Sequence, residues 1–340
     1  MRHDMEKVSL KKIASDLGVS IATVSIVLNG KNTNGRVSEE TSKKILQRAE
    51  ELNYTPNSFA KGLKMGKSKT IGLIVADISN VFFGKLALYI QNEAEKNGYA
   101  VIIANTNEES SEMDKLVKLL KSRQVDGLII TPPAGSEKTI QRLVMEKTPM
   151  VLVDRSFPDI NVSSVVINNF EISYYAISKL IENGFKNIAL ITYKQTLFHI
   201  NERNRGYIEA TKKANLFNEK SIKMVRYEYL NKDMEIVINE LLSEKVPVDA
   251  IYFTTNSISI SGIKELYKQK YQSNIQLMCF DESDAFYILP LNIPFIKQPI
   301  KEMAKKAMES LTEQMEMKNY SVKNCVIKAE LKIHEFDKIK

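Results

Sequence analysis

"IASDLGVSIATVSIVLNG" (residues 13–30) divides at Gly18 into two short apolar-periodic segments. Upstream of that glycine, Leu10, Ile13, Ala14 and Leu17 recur at i, i+3, i+4 and i+7, one face of a helix, and Ser9 stands where a capping hydroxyl belongs. Glycine then stops the helix, because it enters the left-handed conformation without steric cost. Ser20 can cap a second helix whose inward stripe is Val24, Val27 and Leu28, which leaves Ile21, Ala22, Ser25 and Ile26 largely on other faces. After the polar loop "GKNTNGRVS" (30–38), a third helix starting at Ser38 turns Ile45, Ala49 and Leu52 inward. Three short helices with a tight turn between the first two predict an all-α helix-turn-helix head.

The charge distribution agrees. Residues 1–69 hold 13 Lys/Arg against 7 Asp/Glu, whereas the other 271 residues hold 35 against 34. A basic head suits a polyanion, and a near-neutral body suits a different task. At 340 residues the chain exceeds one hydrophobic core. No apolar run approaches the roughly 18 residues that a membrane span needs, and "MRHDMEK" (1–7) lacks a secretory apolar region. The expectation is a cytoplasmic protein with no membrane partner. Cys279 and Cys325 sit in no zinc-type spacing, so both read as small buried hydrophobes and no metal or cofactor is expected.

Between head and body runs "TPNSFAKGLKMGKSKT" (55–70). Pro56 ends the preceding helix, and residues 57–63 could form only about two helical turns, too few to be stable alone in water. Beyond Thr70, "TIGLIVAD" (70–77), "YAVIIANT" (99–106), "VDGLIITPP" (125–133), "PMVLVD" (149–154) and "SSVVINN" (163–169) are short β-branched runs, alternating with helical stretches at 83–97, 111–122 and 136–147. The pattern repeats. "NIALIT" (187–192), "IKMVRYEY" (222–229), "VDAIYFTT" (248–255) and "QLMCFDE" (276–282) alternate with stretches at 170–183, 203–214, 232–244 and 257–270. Runs apolar on every residue read as parallel strands buried on both faces, so the body is expected to be α/β, with two doubly wound parallel-sheet subdomains.

"VSLKKIASDLGVSIATVSIVLNG" (8–30), "RVSEETSKKIL" (36–46) and "LNYTPNSFAKGL" (52–63) resemble the DNA-binding head and hinge of the lactose-repressor (LacI/GalR) family of bacterial transcription regulators. The resemblance continues through "IGLIVADISNVFF" (71–83), "RQVDGLII" (123–130), "RNRGY" (203–207) and "CFDES" (279–283), nearly the whole chain. It implies a recognition helix beginning at Ser20, with Ile21, Ala22, Ser25 and Ile26 at base-reading positions. Family members commonly carry Arg where this chain has Ile26, and Arg suits a bidentate contact with guanine that Ile cannot make. Two readings stay open here: an apolar surface for thymine methyl groups, or an Ile26 packed inside the head with recognition left to Ser25, Asn29 and the loop. Ser9, Ser20, Thr23, Arg36 and Ser38 are expected at phosphates. The resemblance adds Tyr54, Asn57, Ala60 and Lys61 to the DNA side and makes Leu63 a minor-groove wedge in a hinge that becomes helical on the operator.

For the rest, the resemblance implies a head at 1–55, a hinge at 56–68 and a periplasmic-binding-protein-like body at 69–340. The body's N-subdomain would span about 69–167 and 298–328, its C-subdomain about 168–297 and 329–340, with crossings near Ile167, Lys297 and Lys328. Asp77, Phe82, Phe83, Asp154, Arg155, Arg203, Asn256 and Asp281 match positions that line the family's effector pocket. Arg203 is expected to lead its helix and His199 to lie in the loop before it. Asp154 and Arg155 could instead pair only with each other. Where the family often has Asn-Asp, this chain has Asn256-Ser257, which alters the pocket's hydrogen bonding or its helix cap. No phosphate loop, nucleophile elbow or catalytic histidine constellation is present in the sequence, so no enzyme is expected. The expectation is a homodimeric, ligand-responsive repressor of a carbohydrate-use operon, with a palindromic double-stranded DNA operator and a sugar or sugar derivative as partners. The alternatives are a small-molecule-binding protein without operator specificity and an architectural DNA binder.

Overall fold

The structure, a computed structural model, describes residues 9–28, 36–54, 67–194, 197–244, 246–269, 275–289, 292–317 and 321–333. It divides into two units, Met1–Ser68 and Lys69–Lys340. In the first, α1 (Leu10–Leu17) is capped by Ser9, whose hydroxyl accepts from the Lys12 amide at 3.3 Å. Gly18 adopts φ +63° and closes the helix, with the next amide, Val19, returning to the Ala14 carbonyl at 3.0 Å. Ser20 accepts from the Thr23 amide at 3.0 Å and opens α2 (Ile21–Leu28). Ser38 does the same for α3 (Glu39–Glu51) through the Thr41 amide at 3.2 Å. Ile13, Ala14, Val24, Val27, Val37, Ile45 and Ala49 form the buried core of the three helices. Arg48 donates to Asp16 at 2.6 and 3.0 Å, which ties α3 to α1 and holds the Asp16 carboxyl below its ordinary range.

The larger unit has two lobes. The N-lobe sheet contains β1 (Thr70–Val75), β2 (Ala100–Asn105), β3 (Gly127–Ile130), β4 (Met150–Val153), β5 (Ser164–Ile167) and a late strand β11 (Asn324–Ile327). All pair in parallel, in the order β11-β5-β4-β3-β1-β2. Alternate side chains of β1 serve opposite faces. Ile71, Leu73 and Val75 meet the layer of α4 (Val81–Lys96) and α12 (Ile300–Glu316), while Ile74 joins the core under α5 (Ser110–Ser122) and α6 (Glu137–Met145). Burial on both faces is why β1, β3 and β4 lack polar alternation; the expectation fails for the run at 99–106, because β2 lies at the sheet edge and leaves Ile102 and Ile103 exposed.

The C-lobe repeats the plan with α7 (Asn169–Glu182), β6 (Ile188–Tyr193), α8 (Phe198–Lys213), β7 (Ile222–Val225), α9 (Leu230–Ser243), β8 (Ala250–Phe253), α10 (Asn256–Lys268), β9 (Gln276–Phe280), a short α11 (Ala285–Ile288), β10 (Phe295–Lys297) and β12 (Glu330–Lys332). Its sheet order is β12-β10-β9-β8-β6-β7, parallel except for the antiparallel β10–β12 pair. The chain passes between lobes from β5 into α7, from β10 into α12, and from β11 into β12. In each sheet the order reverses at one strand, β1 or β6, and the Tyr227–Asp77 and Asn80–Ser257 hydrogen bonds join the crevices beyond their carboxyl ends into one cleft.

Three expectations need correction. The run at 222–229 is strand only to Val225, because Asp233 accepts from both the Arg226 amide (2.9 Å) and its guanidinium (2.6 and 2.8 Å) and turns the chain into α9. Helix α8 starts at Phe198, so Arg203 lies a turn and a half inside it and His199 is helical. Cys279 is buried, but Cys325 is only half-buried, since β11 is an edge strand.

Candidate functional site

The cleft between the lobes is built at strand ends and helix starts. Asp77 follows β1, Glu108 lies in the turn after β2, Asp154 and Arg155 follow β4, and Phe82 and Phe83 open α4. From the C-lobe come Tyr193 at the end of β6, His199 and Arg203 one turn apart on α8, Tyr227 after β7, Ser257 on α10, and Asp281 after β9. All of them line one cavity of about 50 Å³. That space holds a few waters and no sugar ring, so a ligand of that size enters by parting the lobes. Asn256 lines an adjoining groove of about 510 Å³ that shares Phe82, Asp281 and Gln298 with the cavity. The groove is larger, but its Lys85, Lys297, Lys301 and Lys305 face Glu93, Asp281, Glu282 and Glu302 in equal number. The smaller cavity is the candidate site, because the buried ionisable groups converge there.

Glu108 grips Arg155 from both carboxylate oxygens at 2.6 Å, with both side chains buried. Asp154 is a more distant partner, 3.7 Å from Arg155 Nε. Burial works against the Arg155 charge, and Glu108 outweighs it, so the guanidinium holds its proton more tightly than usual. Arg203 donates to Asn169 Oδ1 and to the Thr254 carbonyl, each at 2.8 Å, and stacks on Phe280 with its guanidinium carbon 3.4 Å from the ring centre. Burial pushes Asp154 up to about 6, opposed by Arg155 and Arg203. Burial also raises Asp281, which accepts from Gln298 Nε2 at 2.7 Å. His199 is driven well below its ordinary value, by burial first and then by the two arginines, and is therefore neutral. His199 Nδ1, Arg155 Nε and Gln298 Oε1 are buried without a hydrogen-bond partner in the protein.

Three cavity residues have left-handed backbone. Glu108, Asp154 and Asp281 sit at φ +63°, +68° and +69°, a conformation that costs a non-glycine residue about 1–2 kcal/mol. Each carboxylate is thereby aimed into the cleft from the end of a strand. Asp154 and Arg155 do not simply pair with each other; the main partner, Glu108, escapes sequence reasoning, as do Tyr193, Tyr227, Asn80 and Gln298. Tyr193 alone had a signal, its place at the end of the "NIALIT" run. In place of the missing Asn-Asp carboxylate, Thr255 caps α10 through the Ile258 amide at 3.3 Å, while Ser257 accepts from Asn80 Nδ2 of the other lobe, also at 3.3 Å.

On the head, Ile21 is 48% exposed and Ala22 is also exposed, whereas Thr23 and Ser25 are half-buried. Ile26 is half-buried and packs against the head's core, so it is at once a packing residue and an edge of the α2 surface. Ser9, Ser20, Arg36 and Ser38 are exposed and Tyr54 is half-buried against the same core. Asn29, Asn57, Ala60, Lys61 and Leu63 lie outside the described residues. Among the described residues no His/Cys/Asp/Glu group could hold a metal ion, and no helix is long and apolar enough to cross a membrane.

Residues 9–57 match the family model "Bacterial regulatory proteins, lacI family", and residues 68–319 match "Periplasmic binding proteins and sugar binding domain of LacI family". The chain is 32% identical over 319 residues to the "Probable HTH-type transcriptional regulator EndR" of Paenibacillus polymyxa, covering 91% of each protein. It is 29% identical over 332 residues to the ribose operon repressor of Halalkalibacterium halodurans, covering 97% of each. Among solved structures, a transcriptional regulator CelR–cellobiose complex has a TM-score of 0.70 at 22% identity, over 96% of this chain and 98% of that one. The transcription regulator CcpA of Lactococcus lactis has a TM-score of 0.69 at 23% identity, over 77% and 96%. At these identities the structural likenesses speak for the fold.

Proposed function

The chain belongs to the LacI family of bacterial regulatory proteins, and from that premise we propose that it is a homodimeric repressor of a carbohydrate-use operon whose effector, a sugar or sugar derivative, binds in the cleft between the lobes. Membership makes it a ligand-responsive, DNA-binding transcriptional regulator and not an enzyme. The observation that carries the proposal is the convergence of Asp77, Asp154, Arg155, His199, Arg203 and Asp281 on one buried cavity at the facing switch points of two parallel sheets. Aromatic walls from Phe82, Phe83 and Tyr193 suit the apolar face of a sugar, and the carboxylates and guanidiniums suit its hydroxyl edge. The ribose repressor among the relatives and the cellobiose complex among the structural neighbours support a sugar.

Control follows from differential binding. A ligand that fits one spacing of the lobes better than another shifts that equilibrium, and the hinge segments carry the change to the heads. Ile21, Ala22, Ser25 and Ile26 would meet base edges, with Ser9, Ser20, Thr23, Arg36 and Ser38 at phosphates; Asn29, Tyr54, Asn57, Ala60, Lys61 and Leu63 would complete the DNA surface. A two-fold dimer would place two such heads on a palindrome. Support for the dimer comes from apolar side chains left exposed on the body: Ile102 and Ile103 on edge strand β2, Val81 and Leu88 on α4, and Tyr287 and Ile288 on α11. Work on DNA puts the protein in the cytoplasm.

A thermal-shift screen of free sugars and sugar acids tests the site. A ligand at 100 times its Kd adds about 2.7 kcal/mol to stability, and Arg203→Ala should abolish that shift. A shift that survives Arg203→Ala places the ligand elsewhere.

A further inference from the structure

Carboxyl groups outnumber guanidiniums in the cavity. Asp77, Glu108, Asp154 and Asp281 share it with two guanidiniums, Arg155 and Arg203, and the neutral His199 adds no positive charge. Arg155 is the group that would otherwise meet a phosphate or carboxylate, since its planar fork fits both. It is already engaged: Nη1 and Nη2 each donate to Glu108 at 2.6 Å, and Nη1 also donates to the Pro132 carbonyl at 3.3 Å. Arg203 is turned onto the Phe280 ring and bonded to Asn169 and the Thr254 carbonyl. An incoming anion therefore meets a buried site whose guanidiniums are already engaged, Arg155 by the Glu108 carboxylate, which would repel it. Hydroxyl groups meet the opposite situation. Carboxylates accept from them, while Arg155 Nε and Gln298 Oε1 are buried without a hydrogen-bond partner in the protein, a donor and an acceptor.

We propose that the effector is an uncharged polyhydroxylated compound, and that Glu108 determines this specificity by holding Arg155 away from phosphorylated or carboxylated counterparts. The proposal rests on the cleft being the effector site. Glu108 is held at φ +63° by the turn after β2, so its aim at Arg155 is set by the backbone as well as by the ion pair. A carboxylate in this role works by exclusion, the repulsive half of specificity.

The test titrates the full chain, Glu108→Gln, Arg155→Gln and the double variant with inorganic phosphate, ribose 5-phosphate and gluconate by calorimetry, at matched ionic strength. The wild type should show no anion binding that Arg155→Gln removes; binding that survives Arg155→Gln lies outside the cleft, as on the basic head, and agrees with the proposal. Glu108→Gln should bind phosphate about tenfold or more tightly than the wild type, and the double variant should lose the gain. Anion binding by the wild type that Arg155→Gln abolishes overturns the proposal, as does a folded Glu108→Gln that gains nothing. Should Glu108→Gln fail to fold, the comparison of wild type with Arg155→Gln decides alone. Failure of the underlying reading has a different signature: free-sugar binding that Arg203→Ala leaves intact.

Discussion

Tyr227 of the C-lobe donates its hydroxyl hydrogen to Asp77 Oδ2 of the N-lobe at 2.9 Å. Asn80 and Ser257 make a second bond across the same cleft. Both bonds must part for a sugar-sized ligand to enter, so they bias the lobes toward closure.

Tyr227→Phe should weaken that bias. Asp77 keeps the Ser79 amide and hydroxyl, at 3.0 and 2.7 Å, so no charge is stranded. One hydrogen bond to a carboxylate, about 1.5–3 kcal/mol, changes the closed-to-open ratio by roughly ten- to a hundredfold. Small-angle scattering should report a larger radius of gyration for the variant at equal concentration; an unchanged radius assigns closure to other contacts.

Asp154 makes stability depend on pH. Its native value is about 6 against an ordinary 3.8, so between those values the folded protein holds the proton and the unfolded chain does not. This contribution is fully present below about pH 4 and is lost as pH rises through 6; it amounts to about 3 kcal/mol at most. Asp154→Asn removes the titration and keeps a residue type that tolerates the left-handed backbone. Urea unfolding at pH 4 and 7.5 should therefore show the variant gaining on the wild type at the higher pH, and parallel curves would contradict the assignment.

Gly206 lets α8 approach α7. A Cβ there would lie 2.7 Å from the Phe170 carbonyl oxygen, 2.8 Å from Ser173 Cβ and 2.8 Å from the Tyr174 amide nitrogen. Backbone atoms cannot yield cheaply, so Gly206→Ala should cost about 1–3 kcal/mol in urea unfolding. It should also disturb Arg203, one turn away. A neutral effect would mean that the helices separate without penalty.

Ile26→Arg exchanges packing for reach. Because Ile26 is half-buried at the edge of the α2 surface, an Arg there should extend toward the DNA and move base preference to guanine at one symmetric pair of operator positions. Selection from a randomised palindrome reads this directly. An unchanged base profile would leave Ile26 with a packing role alone.

Much of this architecture was legible in the chain because the governing forces are local or strongly patterned. Gly18, Ser20 and Ser38 announce helix ends through backbone chemistry that any sequence displays. The body strands stand out because burial on both faces removes polar residues, as in β1. The start of α8 was not legible: Leu197 precedes it and supplies no capping side chain, so His199 reads as loop. The grip of Glu108 on Arg155, 47 positions away, and that of Tyr227 on Asp77, 150 positions away, are products of tertiary closure. Neither residue carries a local mark. The strand-end carboxylates Asp77, Asp154 and Asp281 were visible because the family resemblance places them in the effector pocket, and ligands of doubly wound sheets bind beyond the strands' carboxyl ends.

The most direct measurement of the regulator's central claim is operator affinity of the full chain, by fluorescence anisotropy, on a palindrome selected from random DNA and on its scrambled counterpart. It is made with and without a sugar found by thermal shift. The account predicts a preference of at least about a thousandfold for the palindrome, a change in that affinity on adding the sugar, and loss of the change in Arg203→Ala. Equal affinity for both DNAs, or a palindrome affinity indifferent to a sugar that binds the protein, would contradict it.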